Sequence, residues 1–179
     1  RLTADLYPGD FAWVPNWENE GKRDTNDPRA VRIAGVCERS VQIDYDEEVT
    51  FKAVQHLYDL ARSDDKRPFF LQVSYTHPHE PYPCRKEFWD LYEGADIPMP
   101  RVGALSENEH DPHSIRLLKD FGMLGIQFSD DDVARAIRAY YGSISYIDSM
   151  VAKLMAALKS TQQDENTVII FTSDHGEML

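Results

Sequence analysis

Two short runs in this sequence of 179 residues concentrate side chains that can hold a cation or move a proton. One is Thr76-His77-Pro78-His79-Glu80-Pro81-Tyr82, and the other is Ser173-Asp174-His175-Gly176-Glu177. A carboxylate beside an imidazole, on a turn that Gly176 lets the chain make, suits a divalent cation. Such a cation would draw electron density from a bound oxyanion. The histidine pair suits something different. Prolines on either side of His79 (Pro78 and Pro81) restrict the backbone, so an imidazole is held at a defined angle without a helix beneath it. That ring could protonate a leaving oxygen or hold an anionic one. For His77, a ring packed under its neighbour and a ring that takes part in the chemistry are both open readings. Each run by itself also fits an ordinary turn or a hydrogen-bonding histidine, and the functional reading rests on the two meeting in one place.

Such a meeting needs elements that deliver both runs to one edge. Val49, Ala53, Val54, Leu57, Leu60 and Ala61 recur at helical spacing behind Asp46, Glu47 and Glu48, which predicts a helix over 46–62 with an acidic first turn. Phe69 to Tyr75 is short, aromatic and bounded by prolines, and reads as a buried strand leading into the histidines. Ser129 with Asp132 forms a capping-box start, and Val133, Ile137, Tyr140, Ile144, Ile147, Val151, Leu154 and Leu158 continue it, predicting a long helix over 130–159. Gly142 inside that helix implies a close approach by another element. Thr167 to Thr172 reads as a second buried strand, leading into Asp174 and His175. Helix, strand, long helix and strand in that order imply an α/β fold with a mostly parallel central sheet flanked by helices. Parallel strands would bring the two runs to the same carboxyl-end edge.

The remaining segments carry less chemistry. Residues 1–30 hold Pro8, Pro15, Pro28 and several aromatics with no sustained period, and read as loops packed by their rings. Residues 96–128 form an ordered excursion with a short helix at 114–120, a candidate lid or rim. His110 and His113 sit in polar loop sequence and read as solvated, while His56 and the pair Tyr140-Tyr141 lie in helical patterns and read as structural.

Nineteen Lys and Arg against 31 Asp and Glu leave a net charge of −12. Nucleic acid is disfavoured as a partner, because such binders need a basic stripe to displace counterions. Two cysteines, Cys37 and Cys84, match no redox or zinc spacing and make no disulfide framework, so a reducing, cytoplasmic setting is the default expectation. No run approaches the roughly 18 apolar residues of a membrane helix. The chain starts at Arg1 and stops just after the Asp174 motif, which reads as an internal fragment, the middle of one catalytic domain.

Across most of its length the sequence resembles the sulfatase family of the alkaline phosphatase superfamily, and within it the choline sulfatases. The resemblance rests on an ordered set: Tyr7-Pro8 with Asp10-Phe11-Ala12-Trp13, then Gln42 to Val49, the run Phe69 to Tyr82, Phe88 to Tyr92, Ala139 to Asp148, and Phe171 to Gly176. It implies hydrolysis of a sulfate ester, choline-O-sulfate in the choline sulfatases, to an alcohol and sulfate. It implies that Asp174 and His175 supply part of a divalent cation site, calcium above all, with magnesium or manganese as substitutes. It also implies that His79 contacts the sulfate and assists departure of the alcohol. His77 has no firm counterpart. Glu80 and Glu177 stand where choline sulfatases more often have Asp, and residues 21–35 do not align.

Sulfatases attack sulfur with a formylglycine made from the cysteine of a C-x-P-S-R type motif. Neither Cys37 nor Cys84 stands in such a motif, so the resemblance places the nucleophile outside this chain. The 179 residues alone are then expected to bind metal weakly and to turn nothing over. A quaternary ammonium substrate would need an aromatic or acidic wall, for which Trp13 is the candidate, although core or loop packing also accounts for that ring. Self-association of the full-length protein fits the same resemblance. Two other readings stay open: a phosphonate or phosphate monoester hydrolase of the same superfamily, and a non-catalytic small-molecule-binding module.

Overall fold

Ser40 begins the first long helix by accepting the Ile43 amide on its hydroxyl at 3.1 Å, giving a partner to one of the donors that a helix start leaves unpaired. The computed structural model describes residues 30–65, 67–120 and 122–177. Within them the elements run α1 (Ala30–Ile33), β1 (Gly35–Val36), α2 (Val41–Arg62), β2 (Pro83–Cys84), α3 (Lys86–Asp90), α4 (Pro112–Asp120) and α5 (Asp130–Ser160). Single 3₁₀ turns lie at Glu107–Glu109 and Asp164–Asn166.

Helix α2 thus starts at Val41, not at Asp46 as the sequence pattern predicts. Its buried stripe is Gln42, Ile43, Asp46, Thr50, Ala53 and Leu57, so the first two turns turn polar side chains inward. A search for apolar periodicity stops where that stripe becomes polar. Asp46 is therefore no first-turn surface acid; it is fully buried.

Helix α5 agrees closely with its prediction. Ser129 Oγ accepts the Asp132 amide at 3.2 Å, and the Asp132 carboxylate reaches back to the Ser129 amide at 3.4 Å. Its inner face runs through Ala136, Ala139, Ser143, Tyr146, Met150 and Ala157, while Ile144, expected on that face, is 44% exposed. Small residues let α5 approach the rest of the chain. A Cβ at Gly142 would collide with Cys84 Sγ, which confirms the close approach inferred from that glycine. At one end of α5, Ala136 and Ala139 pack with Ala34 and Cys84; at the other, Ala157 and Leu158 pack with Leu57 of α2. Tyr146 Oη donates to the Ile43 carbonyl at 3.3 Å, joining the two helices midway.

The sheet is a correction to the expected strands within an α/β fold that holds. β1 and β2 pair in parallel, Gly35 opposite Pro83 and Val36 opposite Cys84, with Cys37 N donating to Cys84 O at 2.8 Å just beyond. Neither predicted strand belongs to it. Residues 69–75 and 167–172 have no ladder among the described residues, and Phe70, Val168 and Phe171 are 90%, 88% and 78% exposed. Their composition suits a buried strand, but a strand exists only where a neighbour takes up its amides and carbonyls.

Candidate functional site

The loop carrying His79 leaves residues 69–75 and ends in β2. Helix α2 holds it from one side. Asp46 Oδ1 accepts the Thr76 amide at 2.8 Å and the Thr76 hydroxyl at 3.1 Å. Asp46 Oδ2 accepts the His77 amide at 3.1 Å and faces His77 Nδ1 at 2.6 Å. One turn earlier, Gln42 Nε2 donates to the Glu80 carbonyl at 2.7 Å. Within the loop, His79 N donates to Thr76 O at 3.1 Å and Tyr82 N to His79 O at 3.4 Å, so the chain turns tightly about His79.

The two loop histidines end in opposite situations. His77 is buried, with Nε2 3.1 Å from the Pro83 carbonyl and its ring edge-on to Tyr146 at 4.9 Å. Both of its nitrogens are engaged. The His79 ring stands at the surface, and its Nδ1 lies 3.0 Å from both the Glu80 carbonyl and the Glu80 carboxylate. Those acceptors favour the tautomer with the proton on Nδ1 and leave Nε2 without a partner among the described residues.

The second run makes an open turn. His175 N donates to Asp174 Oδ1 at 3.0 Å, and His175 Nδ1 lies 3.1 Å from the Gly176 carbonyl. That carbonyl, and then the Asp174 charge, raise the His175 pKa above its ordinary value. With Nδ1 spent on a backbone acceptor, the Nε2 lone pair faces outward, 3.8 Å from Asp174 Oδ2. Metal-binding histidines are commonly fixed in this way, so the two side chains fit as donors to a divalent cation. By themselves they would be only part of a site: among the described residues no group of three or more His, Cys, Asp or Glu side chains is arranged to hold a cation.

Tyr82 joins the two runs. Its hydroxyl donates to Glu177 Oε2 at 3.4 Å, and its ring meets Tyr140 of α5 edge-on at 5.9 Å. Burial, and then the charge of Glu177, push the Tyr82 phenol up, so it stays a donor at neutral pH. The backbone of Tyr82 sits in the left-handed region at φ 56°, uncommon for an aromatic residue, and is stabilised there by these two contacts. Beside them opens a cleft of about 230 Å³ walled by Tyr82, Tyr140, Phe128, Ile137 and Glu177.

The ends of the two runs therefore touch, through Tyr82 and Glu177. Trp13, the candidate wall for a cationic group, lies outside the described residues. Asp46, Tyr82 and Tyr140 are additions. Asp46 was readable only as one more acid near a helix start, and Tyr140 only as a core ring. Neither cysteine fits the role of a nucleophile precursor. Cys84 is buried against Gly142, with its thiol pushed up to about 12 by burial, and the Cys37 thiol donates to the Arg39 carbonyl at 2.9 Å.

Comparison with known proteins agrees with this picture. Residues 7–179 match the family model described as Sulfatase. The whole chain is 43% identical to a choline-sulfatase of Rhizobium meliloti (strain 1021), of which it spans 36%. It is 35% identical over 98% of its length to an iduronate 2-sulfatase of Mus musculus, spanning 35% of that protein, and 34% identical over 67% of its length to an arylsulfatase of Clostridium perfringens (strain 13 / Type A), spanning 24%. The chain thus covers about a third or less of the curated relatives it matches. A family match over nearly all of the chain, together with 43% identity over the whole chain to a choline-sulfatase, places this protein in the sulfatase family.

Proposed function

We propose that this chain forms the middle of a sulfuric ester hydrolase that cleaves choline-O-sulfate to choline and sulfate. The observation that carries the reading is the hydrogen bond from Tyr82 to Glu177, which ties the loop of His79 to the turn of Asp174 and His175. Asp174 and His175 would hold a divalent cation, calcium in this reading with magnesium or manganese as substitutes, and the bound ion supplies Lewis acidity to the sulfate oxygens. His79 acts at Nε2. With Nδ1–H anchored to Glu80, the ring is aimed outward; in its doubly protonated form it gives the Nε2 proton to the alcohol oxygen as the sulfur–oxygen bond breaks, and is left neutral with its remaining proton on Nδ1. The attacking group, a formylglycine in this reading, comes from outside these residues, since neither Cys37 nor Cys84 is placed for it.

The alcohol is proposed as cationic for two reasons. A relative that matches the whole chain bears the name choline-sulfatase. The cleft beside the two runs pairs the rings of Tyr82 and Tyr140 with the Glu177 carboxylate, and π faces beside a carboxylate favour a quaternary ammonium. Trp13 is proposed to add to that wall.

The test is sulfate release by the full-length protein supplied with a divalent cation, comparing choline-O-sulfate with a neutral aryl sulfate and with the corresponding phosphate esters. The expected result is preferential hydrolysis of choline-O-sulfate, lost on chelation and reduced about 10²- to 10⁴-fold in kcat by His79→Ala. Faster phosphate than sulfate release would transfer the reading to a phosphoryl ester hydrolase. Residues 1–179 alone are expected to release no sulfate, and turnover by them would overturn the assignment of the nucleophile to another segment.

A further inference from the structure

A histidine whose Nδ1 faces a buried carboxylate usually offers Nε2 to a nucleophile, with the carboxylate orienting the ring. His77 has the first half of that arrangement and not the second. Its Nε2 is 3.1 Å from the Pro83 carbonyl, an acceptor with no proton to give. Its Nδ1 is 2.6 Å from Asp46 Oδ2, an oxygen that also accepts the His77 amide. An ionised Asp46 would set an acceptor against each ring nitrogen, and a ring placed so would carry a proton on both. Side-chain exposures of 1% for His77 and 0% for Asp46 leave water no part in this. A buried imidazolium beside a buried carboxylate is tolerated when the pair is close and fully hydrogen-bonded, and here all four donors to Asp46 come from Thr76 and His77.

The positions of these bonds suggest what the pair does. Asp46 holds residues 76 and 77, just before His79. His77 Nε2 reaches Pro83, beyond it, and Gln42, one turn from Asp46, holds Glu80. Both limbs of the loop are thus fastened to one side of α2, and the surface ring of His79 is the part left over. Gln42 Oε1, by contrast, is buried without a partner among the described residues, so this side chain is oriented by its bond to the loop at the expense of its own second polar atom.

We propose that Asp46 and His77 form a carboxylate–imidazolium strut, assisted by Gln42, that positions His79 for the ester. His77 is then a positioning residue and exchanges no proton with substrate. This rests on the role given to His79 above. The test is a double-mutant cycle in the full-length protein. Asp46→Asn places an amide NH₂ against the donors of His77 and is expected to lower kcat 10- to 100-fold with KM changed less than about twofold. In a His79→Ala background the same substitution is expected to lower kcat less than about threefold, because a misplaced ring that is absent costs nothing. Equal losses in both backgrounds, or wild-type kcat in Asp46→Asn, would overturn the strut. Gln42→Met, which removes only the tie to Glu80, should show the same dependence on His79 at smaller size, and decides the question if Asp46→Asn does not fold. Nitrogen-15 NMR reads the ring directly: two slowly exchanging N–H signals from His77 are expected, and a single one would refute the imidazolium. An unchanged rate in His79→Ala alone would instead overturn the catalytic role of His79, with the ring signals still judging the strut.

Discussion

Burial has different consequences for Asp46 and Cys84. The carboxylate meets four donors, while the thiol has only the Arg85 carbonyl at 3.4 Å and the packed backbone around Gly142. With its thiol pushed up to about 12 by burial, Cys84 is held as the thiol at pH 8, and the thiolate is the reactive form. Brief treatment with an alkylating reagent followed by peptide mapping should label the partly exposed Cys37 and spare Cys84 until the protein is denatured. Comparable labelling of both in the native state would contradict the burial described. At this scale, the sequence nominates His79, Asp174 and His175, because the chemistry proposed for them lies in residue type and neighbours. Asp46 was not legible, since an acid beside Glu47 and Glu48 looks like a solvated helix start, and only the turn of α2 shows that it faces inward.

Where α5 crosses β2, the two elements are as close as they can be. Ala in place of Gly142 would gain about 1 kcal/mol of helix propensity, yet its methyl would meet Cys84 Sγ and the backbone of Phe88. Overpacking of this kind costs about 1–3 kcal/mol, so Gly142→Ala is expected to destabilise by about 1 kcal/mol net. Chemical denaturation checks this, and the sign of the coupling with Cys84→Ala is the sharper measure: the double variant should recover part of the loss. A Gly142→Ala protein more stable than the wild type would show that the elements can part freely. Helix α5 was legible almost to the residue because its capping box and its apolar period are local signals. The two expected strands were not, because their apolar character says that they suit a sheet and cannot say which partner they pair with.

For the whole molecule, Phe69 and Phe70 in one segment and Val168 to Phe171 in the other present apolar surface on a chain of net charge −12. Phe70, Val168, Ile170 and Phe171 all point largely into solvent, and extended apolar segments with unpaired amides are sites of self-association. Residues 1–179 prepared alone are expected to bind hydrophobic dyes and to associate as concentration rises, with the repulsion of so many acids slowing association at low salt. Ile170→Lys should weaken both signals. A monodisperse, dye-silent preparation across a tenfold concentration range would show that these segments are covered. The same chain spans about a third of a choline-sulfatase relative, and no helix among its described residues is long and apolar enough to cross a membrane.

The sequence by itself determined the helices that have caps and a clean apolar period, the residue types able to hold a cation or move a proton, and, through an ordered set of motifs, the family. All of these are encoded over a few residues at a time. Only the tertiary structure decided which of two neighbouring histidines is buried and which stands at the surface. That depended on Asp46, some 30 residues away in the chain, taking up both the backbone and the ring of the His77 segment, and on Tyr82 reaching Glu177 across 95 residues. Hydrogen bonds between segments so far apart leave no periodic trace in the sequence, and they are what separates a buried strut from an exposed acid.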